Sequence, residues 1–168
     1  HSGQIFSISW FMISFWILNR ALLRNSLKSG AAAGFVAAMM VLDSNTIIHY
    51  LRGHPDVVER FQSTPRNRLA IPTIVAYEVE YGTKKVASQK RAALVGTLLS
   101  EITQLPFDEA AAIEAVRIRL DLENKRSVIG PMDLLIAATA LSRSATLVTN
   151  NTREFSRVKG LHLEDWTA

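Results

Sequence analysis

Short apolar runs alternate with helical patterns from residue 40 to the end of the chain, and this alternation constrains the fold more than any other feature. The runs suited to buried strands are residues 40–43, 68–72, 102–106 and 146–149, with a short edge strand expected at 160–164. Helical periodicity and capping residues predict helices over residues 44–52, 56–63, 73–86, 90–99, 108–124 and 131–142. Strands that alternate with helices pair in parallel. The sequence therefore predicts a three-layer α/β/α domain with a central parallel sheet of four to five strands.

The first 38 residues do not follow this pattern. Ile5–Leu18 is an apolar, aromatic run of 14 residues, whereas a helix that spans a bilayer needs roughly 20. Basic residues follow the run, although a secretory signal carries them before it. We therefore expect residues 1–38 to be an upstream-translated leader or an expression-derived extension, and the domain to occupy residues 39–168. A membrane-surface or partner-binding helix is the alternative.

Composition narrows the function classes. The chain has no cysteine, which excludes disulfides, thiolate metal sites and cysteine nucleophiles. Its formal charge of +4 is concentrated in residues 1–38, which hold three basic residues and no acid, so the other 130 residues carry 16 basic and 15 acidic side chains. Positive surface for a nucleic acid must therefore come from local clusters. The chain also lacks the GxGxxG, GxxxxGK[ST], HExxH and GxSxG patterns of nucleotide-binding loops, zinc proteases and serine hydrolases.

Three carboxylates and an amide follow four successive strand–helix junctions. In chain order they are Asp43, Glu78, Asp133 and Asn151. The carboxyl ends of parallel strands share one edge of the sheet, where such folds place their chemistry. Each residue has a simpler explanation on its own, as a cap, a solvated helix acid, a partner of the helix dipole or a turn residue. Together they favour a site that holds a hard divalent cation such as Mg²⁺ and hydrolyses a phosphodiester.

Four stretches resemble the motifs of the PIN-domain ribonucleases, specifically the VapC-type toxins of bacterial toxin–antitoxin pairs. They are VLDSNTIIHYLRG, IPTIVAYEVEYG, IGPMDLLIAATAL and LVTNNTREFSRVKGLHLEDW, and the similarity covers about residues 40–166. In the second stretch the family's acid lies four residues before the glycine, which points to Glu78 rather than Glu80. The first and third stretches point to Asp43 and Asp133.

The resemblance implies a PIN-like fold and a cytoplasmic endoribonuclease. Its substrate would be an RNA, either tRNA or rRNA, and its cofactor would be Mg²⁺ or Mn²⁺. The implied catalytic residues are Asp43, Glu78, Asp133 and Asn151, of which the three acids would also bind the metal. A VapB-type antitoxin would inhibit the enzyme by inserting an Arg or another side chain into the acidic pocket. The protein would form a homodimer and would have no membrane partner.

One position departs from the family pattern. Many members have an acid where this chain has Asn151, and an amide oxygen can ligate a metal but adds no charge. This leaves open the number of metals and a second hypothesis, a catalytically weak or inactive PIN-like scaffold that binds RNA or protein. Asp121 and Glu154 are nearby acids for which a solvated position is the simpler explanation. Candidate phosphate contacts are Arg66, Arg68, Lys84, Lys85, Lys90, Arg91, Arg143, Arg153, Arg157 and Lys159.

Overall fold

The computed structural model describes residues 38–86 and 88–168, so the predictions made for Ile5–Leu18 lie outside the described residues. The strands are β1 (Met40–Leu42), β2 (Leu69–Pro72), β3 (Thr103–Leu105), β4 (Thr146–Val148) and β5 (His162–Glu164). The helices are α1 (Ser44–Leu51), α2 (Pro55–Ser63), α3 (Thr73–Lys85), α4 (Gln89–Glu101), α5 (Glu109–Asn124), α6 (Pro131–Ser142) and α7 (Thr152–Phe155). Of the helices in this described part, none has the length and apolarity needed to cross a membrane.

The predicted elements are present, with ends that differ from the predictions by two residues at most. Asp108 caps α5 as expected, because its side chain accepts a hydrogen bond from the backbone N–H of Ala111 at 3.1 Å. Two short elements were not predicted, α7 and a single 3₁₀ turn at Arg66–Arg68.

The five strands form one parallel sheet in the order β3-β2-β1-β4-β5, flanked by helices in the predicted three-layer arrangement. The chain builds the sheet outward from β1 in one direction through β2 and β3, and then in the other through β4 and β5. The strand order therefore reverses between β1 and β4, which pair with Leu42 opposite Val148. A crevice at such a reversal, beyond the carboxyl ends of the strands, is where open parallel sheets bind ligands.

The core lies on both faces of this sheet. Val41, Leu42, Leu147 and Val148 are fully buried, as expected for central parallel strands that helices cover on each side. Ala137 of α6 is also fully buried, and α6 contacts β2 and β4. Its small side chain lets the amino-terminal part of α6, which begins at the strand edge, approach the sheet closely.

Candidate active site

Asp43 lies at the reversal of strand order, directly after β1, and is only 3% exposed. Its Oδ1 accepts hydrogen bonds from the backbone N–H of Ser44 at 2.7 Å and from the Ser44 hydroxyl at 3.3 Å. Its Oδ2 accepts one from Thr149 Oγ1 at 2.8 Å. Burial raises the pKa of Asp43, and the hydrogen bonds from Thr149 and Ser44 oppose that shift. The residue is thus both the cap of α1 and a buried acid at the sheet edge.

Thr149 connects β4 to this acid. It is fully buried, its hydroxyl donates to Asp43, and the same oxygen accepts the backbone N–H of Asn151 at 3.0 Å. The hydroxyl therefore orients the Asp43 carboxylate and the turn that follows β4. Thr149 belongs to a polar cluster at the end of an otherwise apolar strand, for which a turn was the simpler explanation, and it was given no role in the predicted site.

Glu78 approaches Asp43 from α3. Burial raises the pKa of Glu78, the Ser44 hydroxyl opposes the shift, and the charge of Asp43 raises the pKa further. Among the described residues, no group donates a hydrogen bond to the buried Oε2 of Glu78. Glu80, two residues later, is exposed and pairs with Lys84, with Nζ and Oε2 3.3 Å apart. The structure thus directs Glu78 inward and Glu80 to solvent, as the resemblance implied.

Asp133 enters the same group from the first turn of α6. Burial raises the pKa of Asp133 to about 6, and the charges of Asp43, Glu78 and Glu154 contribute to the shift. The helix begins at Pro131, and at the preceding residue, Gly130, an added Cβ would lie 3.2 Å from Asp133 Oδ2. A larger residue at Gly130 would therefore crowd the carboxylate.

Asn151 is the fourth residue that the sequence assigned to the site, and that assignment stays a prediction. Asn151 lies beside Thr149 and precedes α7, but its side chain makes no capping hydrogen bond. Glu154, one turn later, contributes its charge to the site through its effect on the pKa of Asp133. The Glu154 side chain is half-buried, at 29% exposed, and pairs with Arg157. Asp121, for which a solvated position was also expected, has a side chain that is 35% exposed, and its Oδ2 lies 2.6 Å from Lys125 Nζ.

The site therefore combines carboxylates from four segments of the chain. The shifts of Asp43, Glu78 and Asp133 all favour the neutral acid, and the groups that oppose them are hydroxyl and amide donors. Carboxylate oxygens are the ligands that a hard divalent cation prefers, and one of them, Glu78 Oε2, is buried without a hydrogen-bond partner among the described residues. Within the described ranges, no group of three or more Asp, Glu or His side chains is arranged to hold a metal ion.

An apolar groove of about 240 Å³ adjoins the acids between α1, α3 and α4. Its lining is mainly aliphatic, and Glu78 lies at its edge together with Arg52 and Arg91. The aliphatic lining residues are Ile48, Leu51, Val79, Val86, Leu94 and Val95. Leu94 is 51% exposed, so the groove is open to a partner.

Comparison with known proteins places the chain in a family. The PIN domain family model matches residues 40–161. A tRNA(fMet)-specific endonuclease VapC from Salmonella typhimurium is 36% identical over 127 residues, 75% of this chain and 96% of the relative. Ribonuclease VapC2 from Rickettsia felis is 34% identical over 129 residues, 75% of this chain and 96% of the relative.

Solved structures of VapBC complexes also resemble this chain. The structure of DNA-bound VapBC from Salmonella typhimurium aligns with a TM-score of 0.72 and 37% identity, covering 77% of this chain and 98% of that one. VapBC2 from Rickettsia felis, bound to a promoter DNA fragment, aligns with a TM-score of 0.69 and 32% identity over 76% of this chain and 98% of that one. The chain belongs to the PIN-domain family, as a VapC-type member.

Proposed function

We propose that this VapC-type ribonuclease cleaves tRNA with Mg²⁺ or Mn²⁺, and that Asp43, Glu78 and Asp133 bind the metal. The observation that carries the proposal is the convergence of these three acids from β1, α3 and α6, each with a raised pKa. A bound divalent cation would activate water and stabilise the charge that develops on the phosphate. The tRNA substrate is supported by the name of the Salmonella relative.

The chain's own residues have distinct parts in this proposal. Asp43 is held in one orientation by hydrogen bonds from Ser44 and Thr149. Glu78 keeps one carboxylate oxygen free of hydrogen bonds from the described residues. Asp133 is half-buried at the start of α6 and repelled by its acidic neighbours. A bound cation would offset the repulsion between the carboxylates. Its binding would therefore order the site and also supply the positive charge that the reaction needs.

Positive side chains near the site would bind the RNA backbone. Arg143 and Arg157 are engaged with Asp108 and Glu154, which makes them poorer phosphate ligands than the sequence analysis expected. Arg66 lies over the ring of Phe61. Besides Arg66, the exposed candidates that make no ion pair among the described residues are Lys85, Lys90, Arg91, Arg153 and Lys159. They would contact phosphates without reading sequence.

The metal site is tested by a matched pair of variants on α3. Glu78→Gln is expected to reduce cleavage of purified tRNA by at least about a hundredfold with Mg²⁺ or Mn²⁺, because the loss of about 3 kcal/mol of transition-state stabilisation corresponds to that factor. Glu80→Gln, two residues away and exposed, should cleave like the unaltered protein. Gel analysis of antitoxin-free protein, with and without EDTA, measures both effects.

Two results would contradict the proposal. Cleavage that persists in EDTA would show that the reaction needs no divalent metal. Full activity of Glu78→Gln would exclude Glu78 from the site. RNA binding without cleavage under any metal would support the second hypothesis, the catalytically inactive scaffold that Asn151 left open.

We also propose that the antitoxin lies in the groove between α1, α3 and α4. Solved relatives are complexes of VapB with VapC, and an apolar groove with Glu78 at its edge suits an amphipathic segment that carries a basic side chain. Such a side chain could pair with the acids, in keeping with the inhibition that the resemblance implied. The homodimer and the cytoplasmic location stay predictions.

Replacement of Leu94 by glutamate tests the groove. A carboxylate on this half-exposed leucine would have to lose its hydration when an apolar partner docks, so we expect the affinity for the cognate antitoxin to fall at least about tenfold. Leu120→Glu, a change at a leucine on α5 that is 56% exposed and does not line the groove, is the control. Titration calorimetry measures binding. Equal affinities for the two variants would place the antitoxin elsewhere.

A further inference from the structure

Arg157 bridges two segments of the chain that border the acids. Its Nη1 donates to the backbone carbonyl oxygen of Val128 at 2.9 Å and to Glu154 Oε2 at 3.1 Å. Its Nη2 lies 3.1 Å from Glu154 Oε1, which makes the ion pair bidentate. The side chains of Arg157 and Glu154 are only 30% and 29% exposed. This guanidinium is therefore fixed between α7 and the loop that precedes α6.

The contact to Val128 distinguishes this pair from the ordinary ion pairs on helices. Arg117 and Glu114 have the same three-residue spacing on α5, with Nε and Oε2 2.7 Å apart, but the described contacts of Arg117 include no distant backbone group. Exposed pairs of that kind contribute only tenths of a kcal/mol to stability. The Arg157–Val128 hydrogen bond joins positions 29 residues apart, so it constrains tertiary structure.

The two groups that Arg157 contacts, the Val128 carbonyl and the Glu154 carboxylate, both affect Asp133. Val128 lies two residues before Gly130, the N-cap of α6, where an added Cβ would lie 3.2 Å from Asp133 Oδ2. The loop also contains Arg126 in the left-handed region with a φ of 52°, a conformation that L residues rarely adopt without support from neighbouring structure. Glu154, the other partner, acts on Asp133 through its charge.

We propose that Arg157 is a positioning residue for Asp133, because it fixes Glu154 and the loop of residues 125–130 relative to each other. The inference rests on the proposed nuclease function and differs from the phosphate contact that the sequence analysis expected. Without the guanidinium, the Glu154 carboxylate loses its bidentate partner and the Val128 carbonyl loses its donor. The loop that leads into α6, and so to Asp133, then loses its hydrogen-bonded connection to Glu154 of α7.

Four variants of the full chain test this role: Arg157→Ala, Arg157→Lys, Arg117→Ala and Arg117→Lys. With tRNA(fMet) as substrate and Mg²⁺ present, Arg157→Ala should lower kcat at least about tenfold and leave KM within about twofold, because alignment and not RNA binding is lost. Arg157→Lys keeps one charged donor and should recover part of kcat. Both Arg117 variants should match the unaltered protein.

Hydrogen exchange gives a readout that does not depend on catalysis. In Arg157→Ala the backbone amides of residues 127–134 should exchange at least about tenfold faster, while those of α5 and the strands are unchanged. Should the alanine variant fail to fold, the lysine variant decides, with a smaller change in kcat and in exchange at the same amides.

Three results would overturn the inference. A raised KM with unchanged kcat would make Arg157 a phosphate contact. Equal effects of the Arg157 and Arg117 variants would make it an ordinary helix ion pair. Unchanged exchange at residues 127–134 would show that the loop does not depend on it. If the unaltered protein cleaves no tRNA, the proposed function fails, and the exchange comparison still decides whether Arg157 holds the loop.

Discussion

Replacement of Asp133 by asparagine is expected to abolish RNA cleavage, with a loss of at least about a hundredfold in kcat/KM, and to leave the fold intact. The amide has nearly the same shape as the carboxylate, so α6 can still begin at Pro131. It lacks the negative charge that a divalent cation requires, and the loss of about 3 kcal/mol of transition-state stabilisation gives that factor. Initial rates on purified tRNA at saturating Mg²⁺ measure the effect.

Asp121→Asn is the matched control for this change. Asp121 lies on α5, pairs with Lys125 and is 35% exposed, and it does not contribute to the raised pKa of Asp133. Its replacement should leave cleavage within about twofold of the unaltered protein. Equal activity of Asp133→Asn and Asp121→Asn would exclude Asp133 from the reaction, whatever the role of the other acids.

The free energy of unfolding should also depend on the charge of Asp133 when no divalent metal is present. Its pKa is about 6 in the folded protein against a reference of 3.8. Folding therefore favours the neutral acid, so the stabilisation is complete below about pH 3.8 and is lost as the pH rises through 6. With EDTA present, the unaltered protein should lose stability relative to Asp133→Asn over this interval.

We expect this relative loss to be roughly 1 kcal/mol between pH 4 and pH 7, because the half-exposed carboxylate is partly screened by solvent. The comparison with Asp133→Asn separates the contribution of Asp133 from those of groups that titrate in the opposite sense. Asp108 is one such group, because the hydrogen bond from Arg143 lowers its pKa. Urea unfolding at several pH values measures it, and Mg²⁺ should reduce the difference at pH 7. A pH-independent difference between the two proteins would contradict the assignment.

Most of the fold could be predicted from the sequence because its elements carry local signals. Central strands such as Thr146–Val148 are apolar runs, and Asp108 and Pro131 mark helix starts through capping and fixed backbone geometry. The helix Thr152–Phe155 was missed because four residues are too few for a periodic pattern. Its position depends on tertiary contacts, which a short stretch of sequence does not reveal.

The candidate site was predictable to the same extent and for a related reason. Asp43 follows β1 and Asp133 lies in the first turn of α6, two elements whose ends carry clear sequence signals. The parts played by Thr149, Glu154 and Arg157 depend on side-chain contacts across the chain, such as the Arg157–Val128 hydrogen bond. Composition and spacing leave Arg157 indistinguishable from a solvated basic residue, and only the folded chain separates the two.

The position of β1 between β2 and β4 also affects when activity can arise during synthesis. Asp43 leaves the ribosome early, but the hydroxyl that orients it belongs to a residue 106 positions later in the chain. At a translation rate of about 5–20 residues per second, the two are separated by roughly 5–20 s. A nascent chain therefore lacks the assembled acidic site until β4 has emerged and docked, and cleavage by the proposed site would not reach the ribosome that makes the protein before that point.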